Sequence, residues 1–149
     1  MKISVDTEIT KPKEVIWSTI TEIENCSNII SSIIDLQILN QPKDSLVGLK
    51  WKETRLMFGK ESSEIMWITE SVENEYYCTR AESHGSAYIT KLSLSDIGNN
   101  TLLTISFTGE TQTLFAKIAS ACMGVFIKNS MKKALLKDLE DIKKHVEQS

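Results

Sequence analysis

Five runs decide the reading of this chain: LKWKETRLM at residues 49–57, EIMWITESV at 64–72, YYCTRAES at 76–83, AYITKLSLS at 87–95 and TLLTISFTG at 101–109. All carry β-branched or aromatic residues and are strand-length. Phe58-Gly59-Lys60, Glu73-Asn74-Glu75, His84-Gly85-Ser86 and Ile97-Gly98-Asn99-Asn100 separate them with turn residues. Connections this short force neighbouring strands to run antiparallel, because a parallel pair needs a crossover of about a dozen residues or more. The runs therefore predict an antiparallel meander.

Upstream, Ile34, Leu36 and Ile38 alternate with Asp35, Gln37 and Leu39, which adds a strand before the polar turn at residues 40–45. Ile3, Val5, Thr7 and Ile9 alternate with polar residues and form the first strand. Between these two strands the period changes. Val15, Ile16, Thr19, Ile20 and Ile23 recur at helical spacing behind Pro12, and Ile29-Ile30 belongs to a second short helix.

Downstream, residues 114–146 contain no strong breaker except Gly124. Met131, Leu135, Leu139, Ile142 and Val146 form one helical stripe. Lys137, Lys143 and Lys144 interleave with Asp138, Glu140 and Asp141, which reads as a solvated face. Residues 114–127 are apolar nearly all round and need cover on more than one side, from the sheet, a ligand, a second subunit or a membrane surface. The order is strand, two short helices, six strands and a long helix.

A chain of 149 residues suits one domain, 1–149. Its net charge of −3 argues against nucleic acid, whose phosphates need a basic face. Cys26, Cys78 and Cys122 are far apart, odd in number and not at metal-ligand spacing. Reduced thiols, no metal and no cofactor are the expectation. No window approaches the ~18 apolar residues of a membrane span, and Met1-Lys2-Ile3-Ser4-Val5-Asp6 is strand-like rather than a signal sequence. A cytoplasmic protein without stable membrane insertion is expected.

The order of elements and three local motifs resemble the START-like (SRPBCC) superfamily. This is the helix-grip group of birch-pollen-allergen-like proteins, polyketide cyclases/dehydrases and lipid-transfer proteins. The motifs are Lys11-Pro12-Lys13-Glu14-Val15-Ile16-Trp17 after the opening strand; Val47-Gly48-Leu49-Lys50-Trp51-Lys52-Glu53-Thr54-Arg55 continuing to Met57-Phe58-Gly59-Lys60-Glu61; and the closing helix with Leu135, Asp138-Leu139-Glu140 and Ile142-Lys143. The resemblance covers nearly the whole chain. It implies an α+β helix-grip fold, a seven-stranded antiparallel sheet wrapped around the last helix with a cavity between them. It does not imply one activity, since the superfamily holds carriers, sensors, cyclases and hydrolases.

In the third strand Leu49, Trp51, Glu53, Arg55 and Met57 share a face, read as inward because its ends are apolar. Glu53 and Arg55 then meet inside, where charge must be paired or watered. Arg55 would anchor an acidic or carbonyl group of a ligand with its planar fork; the alternative is a purely structural pair. Ile65, Trp67 and Thr69 are read as the inward set of the next strand, with Trp67 beside Trp51. Tyr88, Thr90, Leu92 and Leu94 continue that surface, as do Leu103, Ile105 and Phe107. Cys122 and Phe126 face the pocket from the last helix. The candidate ligand-binding set is therefore Trp51, Glu53, Arg55, Met57, Ile65, Trp67, Tyr88, Phe107, Cys122 and Phe126. His84 and His145 read as surface residues, and no nucleophile elbow or phosphate loop is present.

Three functions fit this pattern. The first is a carrier or sensor of a small hydrophobic molecule. The second is a cyclase, dehydratase or hydrolase using Glu53 or His84 as acid or base, with Arg55 or a tyrosine steadying an oxyanion. The third is an interaction protein that meets a partner, or a second copy as a homodimer, through residues 114–127. The first is preferred, because no catalytic set is recognisable.

Overall fold

In the computed structural model the described residues are 2–57, 59–83, 86–111 and 114–149, and the side chains of 57, 83, 110, 111 and 114–127 lie outside that description. Alternation at Ile3, Val5 and Ile9 produces β1, Lys2–Ile9, with those three side chains buried. Helix α1, Lys13–Thr21, starts behind Pro12 and buries Ile16, Trp17 and Ile20. A 3-10 turn, Ile23–Asn25, leads into the short α2, Cys26–Ile29. Then follow β2 (Ile33–Asn40), β3 (Lys50–Met57), β4 (Lys60–Val72), β5 (Tyr76–Ser83), β6 (Ser86–Ile97), β7 (Asn100–Thr111) and α3 (Leu114–Glu147).

The sheet is seven-stranded and antiparallel, in the order β1-β7-β6-β5-β4-β3-β2. From β2 to β7 it is the meander that the short turns dictate. The turns after β4 and β6 are made by residues with positive φ, Asn74 at 62° and Gly98 at 58°, a region that asparagine and glycine tolerate best. β1 pairs with β7, so β1 and β2 are the two edges, and the α1–α2 segment carries the chain from one edge to the other.

Helix α3 packs most closely on β1 and β7 and also meets α1 and α2. Leu139, Ile142 and Val146 of its predicted stripe are buried among Ile3, Val5, Ile9, Ile16, Leu103 and Ile105. Burying each such side chain stabilises the fold by about 1.5–3 kcal/mol. Trp17 meets Tyr77 edge to face at 6.1 Å, which joins α1 to β5.

Two expected strand faces are corrected. In β2, Ile33 pairs with Arg55 and Leu36 with Glu53, so three steps on β2 oppose two on β3. This irregularity turns Ile33 inward at 4% exposure and leaves Ile34 outside at 47%. In β4 the inward set is Glu64, Met66 and Ile68, not Ile65, Trp67 and Thr69. Directly paired residues share a face. Trp51 pairs with Met66 and Glu53 with Glu64, whereas Ile65 and Trp67 pair with the outward Lys52 and Lys50. Ile65 is accordingly exposed, and Lys50 lies over the Trp67 ring at 5.8 Å.

Candidate functional site

The centre of the site begins with alternation along β3. Trp51, Glu53 and Arg55 point to the concave side at intervals of two. Trp51 and Glu53 are buried. The Trp51 indole Nε1 donates to Glu53 Oε1 at 3.2 Å, and Arg55 Nε donates to Glu53 Oε2 at 2.5 Å. Arg55 Nη1 reaches across to α3 and donates to Asp138 Oδ2 at 2.7 Å. It also donates to Ser32 Oγ at 3.1 Å, and Ser32 Oγ in turn donates to Asp138 Oδ1 at 3.2 Å. Ser32 sits in the turn between α2 and β2, whose carbonyl accepts from Leu56 N at 3.0 Å. The cluster thus ties β3, the α2–β2 turn and α3 together. Among the described residues no buried side-chain nitrogen or oxygen lacks a partner, as a buried charged group requires.

Beside this cluster lies a pocket of about 440 Å³ between the sheet and α3. One row of paired residues crosses its sheet wall: Trp51, Met66, Ala81, Tyr88 and Gly109. Tyr88 and Phe107 stack at 5.7 Å within that wall. Leu135 and Met131 face it from α3, and Ile23, Cys26 and Ile30 close the α2 side. The polar cluster therefore sits at the edge of a mainly aliphatic and aromatic chamber.

Five of the predicted residues come together here: Trp51, Glu53, Arg55, Tyr88 and Phe107 all line the pocket. Ile65 and Trp67 do not, for the pairing reason given above. The Met57, Cys122 and Phe126 side chains, and His84, lie outside the described residues. Sequence reasoning missed Asp138, which it placed on the solvated helix face. Asp138 is 3% exposed. Its spacing carried the signal, because it stands three residues after Leu135 and four before Ile142, inside the apolar stripe. Cys26 and Tyr77 were also missed as lining residues.

No protein-family model matches the chain. No curated protein matches its sequence. Solved structures do match in shape. A START superfamily protein from Mycobacterium smegmatis superposes with a TM-score of 0.82 at 19% identity, covering 99% of this chain and 97% of that one. The Zhui aromatase/cyclase from Streptomyces sp. R1128 gives 0.77 at 8% identity, over 99% and 94%. Ginseng major latex-like protein 151 from Panax ginseng gives 0.74 at 16% identity, over 97% and 96%. The fold is the START-like helix grip. At such identities the likeness speaks for the fold alone.

In this helix-grip pocket, burial governs the titratable groups. Burial, seconded by the Glu53 charge, pushes the Cys26 thiol up to about 12. Burial also holds the Tyr77 phenol well above its ordinary value, again with a contribution from Glu53. Its hydroxyl donates to the Ile20 carbonyl at 3.2 Å. Burial works against the Arg55 charge too, but Glu53 and Asp138 outweigh it and raise the guanidinium pKa. For Asp138 burial wins: its carboxyl is raised despite hydrogen bonds from Arg55 and Ser32, and Glu53 pushes in the same direction. Among the described residues no group of three or more His, Cys, Asp or Glu is placed to hold a metal ion. None of the described helices is long and apolar enough to cross a membrane.

Proposed function

We propose that this chain is a cytoplasmic carrier or sensor that holds a small, largely apolar molecule between the sheet and α3, with 1–149 acting as one binding unit. The observation that carries this reading is the pocket: about 440 Å³, walled by Met66, Tyr88, Leu92, Phe107, Met131 and Leu135, with the Glu53–Arg55–Asp138 cluster at one side and further polar lining that includes Glu64 and Thr90. Its size and its balance of apolar wall and few polar groups match sites for small organic ligands. The chemistry of the lining favours holding over reacting. A thiol with its pKa near 12 supplies almost no thiolate at neutral pH. The Tyr77 hydroxyl is engaged by a backbone carbonyl. Both Glu53 oxygens already accept protein donors.

Titration with the neutral, environment-sensitive dye N-phenyl-1-naphthylamine, read by its own emission and by tryptophan fluorescence, tests the reading. Saturable enhancement with one site per chain, reversed by decanol, is the expected result. No enhancement, together with a native mass spectrum showing only the bare chain, would overturn it.

A further inference from the structure

The sequence suggests that Arg55 is available for an acidic ligand group. The structure engages it differently. Arg55 Nε is taken by Glu53, and Nη1 by Asp138 and Ser32. Among the described residues the pocket is lined by three carboxylates, Glu53, Glu64 and Asp138, and one guanidinium, Arg55, so their formal charge is negative. The hydrogen-bond arithmetic points the same way. Glu53 Oε1 accepts from Trp51 and Oε2 from Arg55, while Asp138 Oδ1 accepts from Ser32 and Oδ2 from Arg55. Each carboxylate oxygen has a second lone pair. What the cluster offers an incoming molecule is therefore mostly acceptor capacity and negative potential, next to an apolar chamber where such interactions are strengthened.

We propose that the pocket selects apolar molecules whose polar end is a hydrogen-bond donor, a protonated amine above all and a hydroxyl next, and rejects those ending in a carboxylate. An ammonium neutralises the excess charge and donates to Glu53 or Asp138. A hydroxyl donates to the same oxygens and can accept from Arg55 Nη2. A carboxylate can accept from the same Arg55 Nη2, but it brings a further negative charge to a guanidinium already shared by Glu53 and Asp138. This selectivity rests on the ligand-binding reading above.

Three ten-carbon probes share one tail and differ only in the head: decylamine, decanol and decanoate. Each is used to displace N-phenyl-1-naphthylamine from the full chain at neutral pH. The expected order is decylamine, then decanol, then decanoate, with at least a tenfold gap between the first and the last. In Glu53→Gln and Asp138→Asn that gap narrows several-fold, because each variant removes one negative charge and retains an acceptor. Equal binding of the amine and the carboxylate, or preference for the carboxylate, overturns the head-group proposal while leaving the pocket reading intact. Failure of all three to displace the dye overturns both. If either variant does not fold, the ranking in the unmodified protein decides by itself.

Discussion

Arg55 holds carboxylates from two different elements, Glu53 on β3 and Asp138 on α3. Removing it leaves both buried without the guanidinium that pairs them. Breaking a buried pair in this way typically costs about 3–5 kcal/mol, more than the intact pair contributes, because the surviving charge is uncompensated. Arg55→Leu is expected to lose that much in urea unfolding at neutral pH. The pH dependence has a defined sign. Asp138 already titrates above its ordinary 3.8 because burial disfavours its charge. A carboxyl raised in the folded state penalises stability above its folded pKa, and the penalty disappears as pH falls to the unfolded value. Without Arg55 the penalty grows, so the gap between Arg55→Leu and the unmodified protein should narrow from neutral pH towards pH 4. Equal stability of the two proteins at neutral pH would remove Arg55 from its structural role. Half of this cluster was legible in the sequence. Period-2 alternation placed Glu53 and Arg55 inside, but Asp138 sits among lysines and glutamates, and local charge pattern outvoted its place on the stripe.

Helix α3 is fastened at several points along its second half by polar staples whose partners are distant in sequence. Asp141 Oδ2 accepts from Ser31 N at 2.9 Å and Ser31 Oγ at 2.8 Å, and its other oxygen accepts from Lys137 at 2.5 Å. Nearly two turns further on, Glu147 Oε2 accepts from Thr10 N and Thr10 Oγ1, both at 2.9 Å. Burial resists the Asp141 charge, but the bonds from Lys137 and Ser31 outweigh it and hold the carboxyl below 3.8. The stability it contributes is therefore complete above the unfolded value and is lost as pH falls through the lowered folded one. Asp141→Asn should cost about 1–2 kcal/mol at neutral pH, in line with charge-assisted hydrogen bonds. The difference from the unmodified protein should vanish in strong acid. A pH-independent difference would show that the charge is not what matters. At this scale the sequence was most informative about where elements lie. The span of α3 and the positions of the turns follow from period and breaker residues. The face of β4 did not follow, because Ile65 and Trp67 look as apolar as Met66 and Ile68; only pairing with β3 settles the choice. The inward place of Ile33 was hidden for a related reason, since an irregular step in pairing leaves no mark in a run of consecutive isoleucines.

For the whole molecule, the decisive property is that α3 rests on β1 and β7 while the middle of the sheet faces the pocket. Among the described residues this leaves a pocket beside α3, and a pocket responds to filling differently from a packed core. Ala81 stands at the middle of the row between Met66 and Tyr88 and lines the chamber. In a close-packed interior Ala→Phe would force strain costing about 1–3 kcal/mol or more. If the pocket accepts the ring at Ala81, which pairs with Tyr88, burying it offsets the ordering cost of the larger side chain. Ala81→Phe is therefore expected to unfold within about 1 kcal/mol of the unmodified protein. It should nevertheless lose at least tenfold in affinity for decanol, a change of ~1.4 kcal/mol, because the ring occupies space the tail would use. The two effects separate in one thermal-melt series. Decanol at about a hundred times its Kd should raise the stability of the unmodified protein by about 2.7 kcal/mol. The same decanol concentration should raise Ala81→Phe far less. A variant that melts many degrees lower without ligand would mean the space around Ala81 is already filled in solution. A variant that binds decanol as well as the parent would place the ligand elsewhere on the molecule.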